Sequence, residues 1–145
     1  LNNEEEALAL SIQEIFKRAR GQVFEDGKES EFSRALVAIV HTGGSNIMVR
    51  ILKLLQGGSI SDDVHSEMLK WLGDIDDAPT HLARRQILET SLTHSSPNVR
   101  DAAIIGVSYL EDPESLLALK SAMESETYEE LKADITRVIS ELETK

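Results

Sequence analysis

Four histidines are the side chains of this sequence best suited to metal or acid–base chemistry. His41, His65, His81 and His94 are separated from one another by at least 13 residues. A metal site on a helix usually needs two histidines three or four residues apart, or a histidine beside a glutamate. Neither spacing occurs, and there is no cysteine to supply a thiolate. The sequence therefore predicts histidines at the surface or at helix caps, and no metal site.

Motifs for nucleophilic, phosphate-binding or dinucleotide chemistry are also missing. There is no Gly-x-Ser-x-Gly turn, no phosphate-binding glycine loop and no dinucleotide fingerprint. The two glycine pairs, Gly43-Gly44 and Gly57-Gly58, follow helical patterns, where glycine commonly ends a helix. The 26 carboxylates show no spacing that isolates a pair for acid–base work. We therefore expect no catalytic residue and no cofactor.

Composition narrows the class of protein further. With 145 residues, 41% of them hydrophobic, the chain can form one folded domain or one short array of repeats. Its longest purely apolar run, residues 35–40, is far shorter than the roughly 20 residues that span a bilayer. A net charge of −11 argues against general nucleic-acid binding. The absence of cysteine favours the cytoplasm.

Helices must position whatever site the chain has, because apolar residues recur with helical spacing from end to end. Strand-like alternation does not appear. The pattern predicts eight helices and an all-α fold. Ser61-Asp62-Asp63, Ser96-Pro97 and Asp112-Pro113 are start signals, since a capping side chain precedes proline or acidic residues.

The apolar stripes repeat with a period of about 33 residues. Every second helix carries the same pattern, which indicates four helical hairpins that would bury their apolar faces by stacking. The alternative is an irregular bundle with evenly spaced helices. The equivalent positions are Phe32, Leu36 and Val40; Val64, Met68 and Leu72; Val99, Ala103 and Val107; and Leu131, Ile135 and Ile139.

One stretch points to a particular family. It runs Pro97-Asn98-Val99-Arg100-Asp101-Ala102-Ala103 and continues through Leu110-Glu111-Asp112-Pro113-Glu114 to Leu119. It resembles the HEAT repeat, in particular the short bacterial repeats of phycobilin lyase-like proteins. The likeness is strongest from Asp63 to Glu126. The family's arginine is kept only at Arg100, since the equivalent positions are Ser33, His65 and Lys132.

The resemblance implies a right-handed α-solenoid, or α-α superhelix, of about four HEAT-like hairpins in a single domain covering residues 1–145. The hairpins would be 4–42, 45–75, 79–111 and 113–142, with helices 4–20 and 29–42, 45–56 and 61–75, 79–94 and 96–111, and 113–125 and 128–142. In such arrays the helix carrying Val-Arg lines the concave side. The second helix of each hairpin would therefore form the inner surface.

The function predicted from this arrangement is a non-catalytic interaction or scaffold module that binds a partner protein on its concave face. We expect the inner face to be locally positive and to take an acidic helix or loop. Residues 1–60 hold 7 basic and 8 acidic groups, whereas residues 61–145 hold 8 and 18. The candidate partner-binding residues are Arg34, Lys70, Trp71, Arg100, Lys132 and Arg137.

Three alternatives stay open. The same cations could belong to an ordinary solvated face, with ion pairs between Glu67 and Lys70 and between Asp134 and Arg137. The protein could instead be an immunity protein or antitoxin that neutralises a basic toxin. It could also be a bilin-lyase-like or nucleic-acid-modifying enzyme of the HEAT-like class. Trp71 has stripe spacing beside Leu72 and Ile75, which favours packing on the core over an exposed anchor.

Overall fold

The protein is all-α in the computed structural model, which describes residues 3–145. Within that range there are seven α-helices and no strand. Short 3₁₀ turns at Ala78–Thr80 and Pro113–Ser115 lead into the fourth and sixth helices. The helices are α1 (Asn3–Ala19), α2 (Glu31–Gln56), α3 (Asp62–Asp74), α4 (His81–Ser91), α5 (Pro97–Leu110), α6 (Leu116–Ser125) and α7 (Glu129–Glu143).

Helix α2 differs from the prediction of two helices separated by a glycine stop. Gly43 and Gly44 lie inside one 26-residue element, and only Gly44 leaves the helical region, with φ 54° and ψ −134°. Glycine takes this backbone conformation without the steric cost of a Cβ atom, so the chain kinks and the helix then resumes. The second pair does end the helix, since the Gly57 N–H donates to the Lys53 carbonyl at 3.0 Å.

Helix α2 is also long and apolar enough to cross a membrane on length and composition alone. A core helix of a soluble protein passes the same test. The apolar side chains that α2 buries, among them Phe32, Leu36, Ile47 and Ile51, pack in the core of this structure.

The start of α2 is fixed by a reciprocal cap. The Ser30 hydroxyl accepts from the Ser33 backbone N–H at 3.0 Å, and the Ser33 hydroxyl accepts from the Ser30 N–H at 2.8 Å. Loss of an N-cap hydroxyl costs about 1 kcal/mol. We expect Ser30→Ala to lower the free energy of unfolding by about this amount in urea titrations. Ser121→Ala, on the exposed side of α6, is the matched control, and equal stability of the two variants would contradict the prediction.

The repeating apolar positions form the core, as their spacing predicts. All twelve are buried except Ile139, which is partly buried against the same cluster. Helix α1 packs on α2, α3 on α5, α4 on α5, α6 on α7 and α5 on α7. The helices α3, α5 and α7 therefore lie side by side.

Two glycines allow α3 and α5 to approach unusually closely. A Cβ atom on Gly73 would lie 2.6 Å from the carbonyl carbon of Gly106, and one on Gly106 would lie 2.6 Å from the Leu69 carbonyl oxygen. Real Cβ atoms essentially never come this near to backbone atoms. The crossing of α3 and α5 thus depends on the absence of both side chains.

Candidate functional site

The surface shared by α3, α5 and α7 is the candidate site, because these three helices carry five of the six predicted partner-binding residues. Helix α3 contributes Lys70 and Trp71 to this surface. Helices α5 and α7 are joined there by the Ser108 hydroxyl, which donates to a Glu141 carboxylate oxygen at 3.4 Å. We call this surface the α3–α5–α7 face. Its residues are Lys70, Trp71, Asp101, Ser108, Tyr109, Asp134 and Glu141.

Three of the predicted partner-binding cations are exposed but already paired with carboxylates close by in sequence. Exposed pairs of this kind contribute little to stability and compete with any external carboxylate. Arg137 is a donor to Glu141 at 2.8 Å and lies 4.0 Å from Asp134, so the expected Asp134–Arg137 pair is present. The other two pairs are Arg34 with Glu29 at 3.9 Å and Lys132 with Glu129 at 3.4 Å.

Lys70 and Trp71 are held by one buried carboxylate. Glu67, whose side chain is only 4% exposed, accepts from the Trp71 indole N–H at 2.8 Å and lies 3.7 Å from Lys70 Nζ. Lys70 also reaches Asp26 of the loop between α1 and α2 at 3.3 Å. Trp71 is partly buried against the core, as its spacing predicts. The Glu67–Lys70 pair expected from the sequence is therefore present within a larger network.

Arg100 is not the solvent-facing residue that the sequence predicts. Its side chain is 13% exposed, and its guanidinium forms a two-point contact with the nearly buried Glu126 at 2.9 and 3.2 Å. It also donates to the carbonyls of His94 and Ser95, and lies 5.5 Å from the centre of the Tyr128 ring. Arg100 thus joins the α4–α5 turn to the α6–α7 turn, and its donors are used inside the protein.

A groove of about 590 Å³ opens between α5 and the start of α7. Asp101 and Asp134 line it from the two helices, Glu129 and Glu130 line it from the first turn of α7, and Tyr128, half exposed, is its aromatic wall. Burial raises the pKa of Asp101, and the carboxylates of Asp134 and Asp26 raise it further against the opposing effect of Lys70. No Lys or Arg lines this groove.

The charge of the candidate site in the structure is therefore opposite to the positive charge that the sequence predicts. The cations predicted to bind an acidic partner are paired, whereas the groove beside them carries four carboxylates, of which Asp101 and Glu130 form no ion pair within the part of the chain that the structure describes. The charge that α5 and α7 place at this groove is negative, whereas the sequence predicts a locally positive surface.

Comparisons with protein-family models, with curated proteins and with solved structures gave no match. Among residues 3–145, no three His, Asp or Glu side chains are grouped as a metal ion would require.

Two of the histidines connect separate helical turns through carboxylates. His41 Nδ1 lies 3.3 Å from Asp77, and His81 Nε2 lies 2.7 Å from Asp112, which also accepts from Arg85 at 3.2 Å. The pKa of Asp112 stays below its ordinary value, since these hydrogen bonds outweigh the effect of its burial. Neither contact is visible as a local spacing in the sequence, because the partners are 31 and 36 residues apart.

His65 is the histidine for which the prediction of a surface or capping position is wrong. It is 8% exposed on α3 and contacts the ring of His94. His94 is partly exposed before α5, and its Nδ1 accepts from the backbone N–H of Ser96 at 3.0 Å. His65 occupies the repeat position equivalent to Arg100, whose side chain is also nearly buried, and this equivalence is the signal that could have placed His65 inside.

Proposed function

We propose that the protein is a right-handed α-solenoid of about four HEAT-like hairpins that acts as a non-catalytic interaction module. Support for the solenoid comes from the repeating core positions and from the packing of α3 on α5 and of α5 on α7, which would place the second helices of successive hairpins side by side. In this arrangement the α3–α5–α7 face is the concave surface on which a partner protein binds.

The partner that fits this face has a basic segment. The observation that carries the proposal is the groove between α5 and α7, where Asp101 and Glu130 form no ion pair within residues 3–145. Tyr128 already meets Arg100 and is half exposed, so the rest of its ring can contact a further guanidinium or the alkyl part of a lysine. Burial, and to a smaller extent the carboxylate of Asp134, raises the pKa of Asp101, so a Lys or Arg side chain placed between Asp101 and Asp134 would favour the charged form of Asp101.

A groove variant tests this proposal directly. The triple substitution Asp101→Asn, Glu130→Gln and Asp134→Asn removes three negative charges from the groove without changing its shape. Partners captured from a lysate by the wild-type chain are identified by mass spectrometry, and the affinity of each purified partner is then measured. We expect the groove variant to bind at least about tenfold more weakly, since several close charge pairs would be lost.

The control removes the same charge elsewhere. Glu4→Gln, Glu6→Gln and Glu14→Gln act on exposed positions of α1, away from the groove. Equal weakening in the two triple variants would mean that net charge alone drives binding and would contradict a site in the groove. Unchanged affinity in the groove variant would contradict it as well.

A second candidate function is an immunity protein or antitoxin that neutralises a basic toxin. The net charge of −11 and the acidic groove favour it, because both attract a cationic surface. One outcome separates this function from the scaffold function. If the protein is an immunity protein or antitoxin, the wild-type chain would inhibit the activity of the captured partner and the groove variant would not.

A further inference from the structure

Two histidine rings from different segments meet edge to face where α3 adjoins the α4–α5 turn. The ring centres of His65 and His94 are 5.1 Å apart, and the planes are 89° to each other. His65 is buried on α3, and His94 precedes α5. Since His94 Nδ1 accepts the Ser96 backbone N–H, that nitrogen carries no proton in this arrangement.

The groups around the pair leave little compensation for added positive charge. From α4, the Ser91 hydroxyl lies 3.5 Å from His65 Nε2 and is itself committed to the Ile87 carbonyl. From α5, the Arg100 guanidinium donates to the His94 carbonyl. The carboxylate that raises the pKa of His65 is Asp62, which lies on the same helix as His65.

These surroundings disfavour the charged imidazole. The pKa of His65 is lowered from 6.5 to about 4, mainly by burial and also by His94, against the opposing effect of Asp62. The folded protein therefore takes up a proton at His65 less readily than the unfolded chain does. The corresponding stability is complete above pH 6.5 and is lost as the pH falls from 6.5 toward 4.

We propose that the His65–His94 contact is a pH-sensitive joint, which holds α3 against the α4–α5 turn while the rings are neutral and opens locally when the buried His65 ring takes up a proton. An imidazolium at His65 would be a charge buried against the His94 ring, beside a Ser91 hydroxyl that already donates to the Ile87 carbonyl. Since α3 and α5 border the α3–α5–α7 face, opening of the joint would change that face in weak acid without covalent modification.

Amide hydrogen exchange measured by mass spectrometry between pH 7.5 and pH 4 tests the joint on the whole chain. After correction for intrinsic exchange, protection of residues 61–70 and 91–100 should fall by at most about tenfold for each pH unit below 6.5. Protection of the amides in α6 and α7 should fall only at lower pH. In parallel, the imidazole signals of the wild-type protein give the titration of each histidine by NMR.

Two variants separate the joint from general acid unfolding. His65→Phe keeps an aromatic ring and cannot be protonated, so protection of the two segments should persist to lower pH. If that variant does not fold, His94→Asn, which retains an acceptor for Ser96 and removes the ring that lowers the pKa of His65, should reduce the loss of protection in weak acid. His41→Gln, at an exposed histidine, should behave as wild type.

Two results would overturn the proposal. The first is an NMR titration of His65 near pH 6.5 with protection unchanged. The second is loss of protection at the same pH in wild type, His65→Phe and His94→Asn, which would assign the acid response to paired carboxylates such as Glu126, Asp77 and Asp112 instead.

Discussion

Replacing Gly106 with alanine should lower the free energy of unfolding by about 3 kcal/mol, at the upper end of the usual cost of overpacking. The added Cβ would lie 2.6 Å from the Leu69 carbonyl oxygen and 2.5 Å from a methyl group of Leu88. The Leu88 side chain can rotate away, but the Leu69 backbone can move only if α3 separates from α5. That separation would remove apolar contacts along the helix pair that forms the middle of the core.

Urea denaturation followed by circular dichroism measures this loss, and Gly57→Ala is the control. Gly57 has φ −72°, and a Cβ there would meet its nearest neighbours at 3.5 Å, which is ordinary contact. We expect the control to unfold within about 1 kcal/mol of wild type, since alanine also restricts the unfolded chain. A Gly106→Ala variant as stable as the control would show that the two helices are not held at the distance described.

Replacing Arg100 with methionine should cost about 3 kcal/mol, because it leaves the buried Glu126 carboxylate without its partner. Burial by itself raises the pKa of Glu126, and hydrogen bonds from Arg100 and from the Tyr128 and Thr127 N–H groups hold it below its ordinary value. Without Arg100 the carboxylate stays charged and unpaired at neutral pH, and the carbonyls of His94 and Ser95 lose a donor.

The pH dependence of this loss identifies its cause. The stability that Glu126 provides is present above its ordinary pKa of 4.5 and is lost as the pH falls, so the difference between wild type and Arg100→Met should shrink below about pH 4.5. Arg137→Met breaks only the exposed pairs with Glu141 and Asp134 and should change stability by less than about 1 kcal/mol. A constant difference across this pH range would assign the loss to packing instead of charge.

Much of the fold follows from local patterns in the sequence. Twelve repeating apolar positions predict the core, because the helical period determines which side chains share a face. Helices α3 and α5 begin just after Ser61 and Ser96, and a 3₁₀ turn begins at Pro113, since caps and proline act on the backbone next to them. Ion pairs three residues apart, such as Asp134 with Arg137, are local in the same way.

The rest depends on contacts between residues far apart in sequence. A glycine pair gives the same local signal whether it ends a helix or only kinks it. At Gly44 the helix continues after the kink because both halves of α2 pack on the core. Spacing rules within one helix do not find the Arg100–Glu126 pair or the His65–His94 contact, because their partners lie on later turns. The acidic groove was missed for the same reason, since Asp101 on α5 and Asp134 on α7 lie 33 residues apart.

The polar contacts between turns also bear on how the chain folds. His41 and Asp77, His81 and Asp112, and Arg100 and Glu126 are separated by 36, 31 and 26 residues, so each contact closes a loop of moderate length. Loop-closure entropy rises with the number of residues enclosed, and proteins dominated by local contacts fold quickly. All three contacts join residues that precede α7, so each can form before the C-terminal helix has packed.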